Sequence, residues 1–245
     1  MKITIFTSNN LRHNYLVNLF SKKFEKIYVF QETRSLFPGQ YNSHYPKSDY
    51  IKKYFKGVDN AQNKFFGKNN RFIKAKNVKI VPLSCGDLNL VEIKKYSEFF
   101  NSNFYVVFGS SYIKGKLLSY LIKKKAINIH MGLSPYYRGT DCNFWALYDG
   151  NKEKVGATIH MLSAKLDGGR IIEYGYPDKK FKNPYDYTMS VTRNVIKKLL
   201  LILNNKRISY LSFKRQNILK EIRYSQKKEF NEIVVKKFFK KYNLK

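Results

Sequence analysis

Short runs of apolar, β-branched and aromatic residues recur along the chain at 3–7, 26–30, 78–83, 104–108, 126–130, 156–162 and 170–176. Between them the apolar positions fall at helical spacing over 14–24, 50–56, 90–100, 116–124 and 143–148. A longer helical stretch comes at 185–203, through the window VIKKLLLIL. Strands alternating with amphipathic helices predict an α/β fold, a Rossmann-like doubly wound and mostly parallel sheet. Residues 31–76 are polar, rich in Tyr and Asn, and too long for a simple connection. They are expected to be an insertion with its own helix or a loop over a site. No internal repeat or low-complexity linker interrupts the pattern. One domain over 1–205 is expected, with a short C-terminal extension over 206–245 packed on it.

One apolar run is broken in an informative way. In AINIH, residues 126–130, an amide and an imidazole sit at alternate positions. Strand residues alternate faces, so Asn128 and His130 share one face and Ile127 and Ile129 the other. A polar pair in a covered sheet needs partners or a ligand. Ligands of open α/β sheets collect at strand carboxyl ends, and His130 is at such an end. A shaped loop, GLSPYYRG, comes next, then a helix carrying Trp145 and the strand VGATIHML. That strand runs into SAKLDGGRII, where Asp167 precedes Gly168 and Gly169, a place for a ligand or another backbone to come close.

Charge changes this picture less than its size suggests. The net charge of +30 invites a nucleic-acid reading. Yet 38 of the 47 basic residues are Lys and only 9 are Arg, spread over nearly every segment. Bidentate base contacts favour Arg. The excess of Lys, Asn, Ile, Tyr and Phe also matches what an AT-rich genome writes into any protein. The charge still favours an anionic ligand by steering. Over 206–245 there are 13 Lys/Arg against 3 Glu, a local net of +10. No apolar run approaches the roughly 18 residues that span a bilayer. The first residues, MKITIFTSNN, read as a first strand in place of a signal peptide, so a cytoplasmic location is expected. Two cysteines, Cys85 and Cys142, supply neither a disulfide framework nor metal-ligand spacing.

Taken together, INIHMGLSPYYRG, FWALYDGNKEKVGATIHML and LDGGRII resemble the formyltransferase family that uses 10-formyltetrahydrofolate. That pattern is an Asn-x-His strand end, a Pro-containing loop closing in Arg-Gly, and an Asp-x-Gly loop. It covers 104–175 well and 1–30 only in layout. The resemblance implies Asn128, His130 and Asp167 as the catalytic triad, no metal, and 10-formyltetrahydrofolate as co-substrate. It also implies a folate site along Phe108, Gly109, Ser110, Tyr112, Leu162 and Leu166. Gly132, Ser134 and Lys165 depart from the family pattern without touching the triad. These residue types suit the chemistry. A neutral amide and an imidazolium are donors for an oxyanion, and Asp167 favours the imidazolium and can accept a proton. Which of His130 and Asp167 is the formal base stays open.

The acceptor amine is approached by comparison within the family. The methionyl-tRNA enzymes carry a further C-terminal β-barrel, for which 206–245 is short. The glycinamide ribonucleotide enzymes carry a Gly-rich phosphate loop after the first strand, where this chain reads TSNNLRHNYLVNLF. The likeness is greatest to the short sugar N-formyltransferases, whose substrates are nucleotide-linked amino deoxysugars destined for surface polysaccharide. Arg12 and His13, at an expected helix N-terminus, are candidates for gripping the nucleotide's phosphates, with Arg138 as a further substrate contact. No specific nucleic-acid partner and no membrane span are expected, and a homodimer is compatible with the chain. The alternatives are formyl transfer to methionyl-tRNA or to glycinamide ribonucleotide, or a non-catalytic nucleotide- or RNA-binding protein of the same fold.

Overall fold

Each of the seven apolar runs forms a strand of one sheet in the computed structural model, which describes residues 1–33, 48–67, 69–205 and 213–244. The chain opens with β1 (Lys2–Ser8), α1 (Leu11–Phe20), β2 (Lys26–Thr33), α2 (Asp49–Phe66) and β3 (Val78–Ser84). It continues through β4 (Phe104–Phe108), α3 (Gly115–Lys123), β5 (Ile127–His130), β6 (Tyr137–Gly139) and α4 (Cys142–Tyr148). It closes with β7 (Ala157–Met161), β8 (Ile171–Gly175), α5 (Pro184–Asn204), β9 (Arg223–Ser225) and α6 (Glu232–Lys241). The sheet order is β3-β2-β1-β4-β5-β7-β8. The first five strands in that order are parallel, and β7 and β8 are antiparallel to their neighbours.

From β1 the chain builds outward through β2 and β3, then returns to place β4 and β5 on the other side. At this reversal the connections from β1 and β4 diverge, the usual position of a ligand crevice. Apolar residues cover both faces. Ile3 and Ile5 of β1 join the helices α1, α4, α5 and α6 on one side. Phe6, Phe30 and Tyr105 meet α3 and the 88–100 segment on the other. Thr4 and Thr7 of β1 are buried, and their hydroxyls donate to the carbonyls of Phe99 and Phe108.

Three elements differ from the pattern's expectation. The stretch 90–100 is a short 3-10 turn at Asp87–Leu90 followed by consecutive turns over 93–100, not a helix. Its apolar spacing still buries Phe99 and Phe100, but the amides of Phe99 and Asn101 bond three residues back, breaking the α-helical ladder. Helix α2 continues past 56 to Phe66, and Gly57 within it lets the ring of Tyr185 in α5 lie where a Cβ would be 2.5 Å away. The segment 31–76 therefore does carry its own helix, while 34–47 and 68 lie outside the described residues. Helix α1 starts at Leu11, so Arg12 and His13 stand in its first turn. Of 206–245, the described residues 213–244 return to the domain. Lys214 bridges Ile171, β9 pairs with β6, and Phe230, Val235 and Phe238 join the same apolar cluster as β1 and α1.

Candidate active site

Asn128 and His130 sit where β5 meets the crevice, and the antiparallel register of β7 sets His160 directly opposite Asn128. His160 donates from Nδ1 to the carbonyl of Met161, at 2.9 Å, which leaves Nε2 as an acceptor. The Asn128 amide donates to that nitrogen at 3.1 Å. Burial pushes the His160 imidazole down to about 4, outweighing the pull of Asp167 towards the charged form. His160 is therefore neutral, and its 3.9 Å approach to Asp167 is not an ion pair. Its action is to fix the Asn128 side chain so that the second amide hydrogen is free for a ligand. Sequence reasoning missed His160. The signal was a second imidazole on a neighbouring strand, informative only once the register is known.

Asp167 is buried, with Oδ1 3.3 Å from Nδ1 of His130 and Oδ2 accepting from the Gly139 amide at 3.4 Å. The other ring nitrogen of His130 faces the Tyr137 carbonyl at 3.1 Å and the Cys142 sulfur at 3.5 Å. Both nitrogens thus face protein atoms, whereas the expectation aimed one of them at a formyl oxygen. Asp167 itself, at φ 49°, adopts a left-handed backbone. Gly169 allows close approach. A Cβ there would lie 1.7 Å from the Met161 carbonyl oxygen. Gln216 ties the loop by donating to the carbonyls of Asp167 and Gly169 at 2.7 Å each.

A cavity of about 710 Å³ opens onto Asn128, His130 and Asp167. All the residues expected to hold folate line it: Phe108, Gly109, Ser110 and Tyr112 at and beyond the end of β4, and Leu162 and Leu166 across from them. Tyr112 and Leu166 are well exposed, so two apolar walls stand open to a ligand. Arg12 and His13 line the cavity too. Arg12 donates to Gln62 of α2 at 2.8 Å. His13 is buried and shares a hydrogen bond with Ser8 Oγ at 2.7 Å. Its Nε2 would lie 2.3 Å from a Cβ on Gly109, and burial drives its pKa well down. Arg138, expected to touch substrate, is not among the lining residues. It is buried, paired with Glu221 at 2.7 Å and donating to the Leu166 carbonyl, so it positions the Asp167 loop against the C-terminal segment. That segment supplies lining the sequence did not foretell: Tyr224, Ser225, Gln226 and Lys227. Among the described residues, no group of three or more His, Cys, Asp or Glu is placed to share a metal ion. No helix among them is long and apolar enough to cross a membrane.

Several known proteins are similar to this chain. GDP-perosamine N-formyltransferase of Brucella melitensis is 37% identical over 62 residues, 25% of this chain and 23% of that protein. The chain thus matches about a quarter of the length of that curated relative. The N-formyltransferase structure from Helicobacter canadensis, complexed with folinic acid and dTDP-3-aminofucose, aligns at TM-score 0.56 and 15% identity, covering 99% of this chain and 80% of that one. The phosphoribosylglycinamide formyltransferase of Bacillus halodurans aligns at TM-score 0.55 and 15% identity, covering 86% and 97%. At such identities the structural likeness establishes the fold. Residues 68–177 match the sequence model of the Formyl transferase family, a little under half of this chain.

Proposed function

We propose that this protein transfers a formyl group from 10-formyltetrahydrofolate to the amine of a nucleotide-linked amino deoxysugar, in the cytoplasm, for surface polysaccharide. The observation that carries the reading is the meeting of Asn128, His130 and Asp167 in one cavity between two apolar walls. When bound, 10-formyltetrahydrofolate supplies a formyl carbon open to attack by an amine, with charge gathering on the formyl oxygen. Asn128 provides the donor for that oxygen through the amide hydrogen His160 leaves free. Asp167 and His130 act as a pair on the proton of the attacking amine. Asp167 would accept it directly or through a water and return it to the folate nitrogen that leaves as its bond to the formyl carbon breaks, while His130 Nδ1, 3.3 Å away, steadies the carboxylate or shares the proton. His130 and Asp167 are buried and Asn128 is half-buried, and the shortage of water around them strengthens these interactions.

The walls suit the two ligands. Tyr112, Leu162 and Leu166 present apolar surface to a flat ring, which supports a folate there. Arg12, in the first turn of α1, and Lys227 and Gln226, from the C-terminal segment, offer cationic and amide donors to a diphosphate. The ligands of the Helicobacter canadensis structure are a folate and a nucleotide amino sugar, which supports the same pairing. The experiment is a panel of nucleotide amino sugars incubated with 10-formyltetrahydrofolate and read by mass spectrometry, with glycinamide ribonucleotide and methionyl-tRNA alongside. Formylation of a nucleotide amino sugar is expected. Formylation of glycinamide ribonucleotide or methionyl-tRNA alone would replace this reading.

A further inference from the structure

Glu32, the seventh residue of β2, is buried almost completely, yet no cation among the described residues is placed against it as an ion pair. Its carboxylate is answered by neutral donors from two other segments. Oε2 accepts the Ser111 amide at 2.6 Å, and Oε1 accepts the Ser111 hydroxyl at 2.6 Å and the Gly86 amide at 2.9 Å. Gly86 follows β3 with φ 105°, a backbone conformation that favours glycine and turns its N–H inward. Three strand ends, those of β2, β3 and β4, therefore converge on one carboxylate. A second tie lies three residues beyond Gly86. Asn89 donates to the Tyr112 carbonyl at 2.8 Å and accepts the Lys114 amide at 2.8 Å. Both side chains thus grip the segment 111–114, part of which forms the cavity wall.

We infer that Glu32, assisted by Asn89, is a positioning residue that pre-forms the 110–113 wall for the folate ring. This rests on the folate reading of that wall. Burying a carboxylate is costly unless hydrogen bonds replace its water, and bonds to a charged acceptor are the stronger kind. That cost is recovered only with the loop in this one conformation, so the carboxylate selects it. A ligand meeting an already ordered wall does not lose affinity to ordering it. Glu32 touches no reacting atom in this arrangement. Its removal should act on binding of folate, leaving the amine site and the triad unaltered.

Glu32→Gln keeps the size but turns one acceptor into an amide nitrogen that must face an N–H or O–H donor, breaking at least one of the three bonds. Asn89→Ala removes the second tie at a less buried position, so it carries the test should Glu32→Gln fail to fold. Tetrahydrofolate binding is measured by titration calorimetry on wild type and both variants, with KM for each substrate and kcat measured at saturating co-substrate. Glu32→Gln is expected to weaken tetrahydrofolate binding about tenfold and Asn89→Ala about threefold, with kcat and the acceptor's KM within twofold of wild type. Unchanged tetrahydrofolate affinity in a folded variant would overturn the positioning role. So would equal loss in kcat and in both KM values, which marks general damage. Wild type failing to bind tetrahydrofolate would overturn the folate reading itself, and is told apart because it needs no variant.

Discussion

Asn128 and His160 form a pair in which a neutral imidazole aims an amide, and each consequence is measurable. Removing one oxyanion donor costs on the order of a hundred- to a thousandfold in turnover. Asn128→Ala is expected to lose that much kcat with the circular dichroism spectrum unchanged. Asp167→Asn should lose at least as much, since charge and proton acceptor go together, and retention of activity would exclude Asp167 as the proton carrier. The neutral His160 also has a thermodynamic signature. Its unfolded form takes a proton near 6.5 while the folded form does so only near 4. Between those values the unfolded chain binds more protons, so stability falls as pH drops through that window. His13, also held down by burial, acts in the same direction. About 2 kcal/mol of the stability lost between pH 7 and 5 should come from His160. Urea unfolding of His160→Gln at both pH values should show a correspondingly smaller pH difference. An unchanged difference would mean that His160 is not buried neutral.

Between strands, glycines set how closely elements approach. Strands β6 and β9 pair only because Gly139, at φ 92°, leaves room for the Ser225 carbonyl, which would lie 2.1 Å from a Cβ. Gly139→Ala is expected to lower stability by about 1–3 kcal/mol and to disturb the Gly139 amide that donates to Asp167. A thermal melt coupled with a kcat measurement checks both, and a wild-type melt would exclude the constraint. Much at this level was legible beforehand. The seven sheet strands coincide with apolar runs, since burial on both faces demands continuous apolar stretches. The 90–100 segment was not legible as turns, because helical spacing places side chains on one face whether or not the backbone ladder closes. Arg138 was legible as important but not in role. Only the return of Glu221 beside it explains why it positions a loop in place of touching substrate.

Taken whole, a chain of net charge +30 would attract any polyanion at low salt. If the cavity is the functional site, RNA binding should be non-specific and collapse with salt, since phosphate contacts release counterions. A filter-binding titration with tRNA from low to physiological salt is expected to lose affinity steeply. Sub-micromolar binding that survives physiological salt would make RNA a partner. The C-terminal segment adds to the same picture. Its +10 excess lies on the extension expected to pack on the domain, where Phe230, Val235 and Phe238 are core and Tyr224 to Lys227 are cavity wall.

The sheet and the polar pair Asn128 and His130 on one strand face could be read from residue order alone, while Asp167 as their partner and the walls at 108–112 and 162–166 were implied by the resemblance to a family. Periodicity and short motifs are local properties of a chain, carried by neighbours in sequence. The antiparallel register that sets His160 on Asn128, the left-handed Asp167, the Glu32 clamp on Ser111 and the return of residues 221–227 could not. Most of these join segments far apart in sequence, 32 positions for Asn128 and His160 and 79 for Glu32 and Ser111. Such pairings are chosen by packing, where a shift of one residue exchanges the faces of a strand and no local pattern records which register wins.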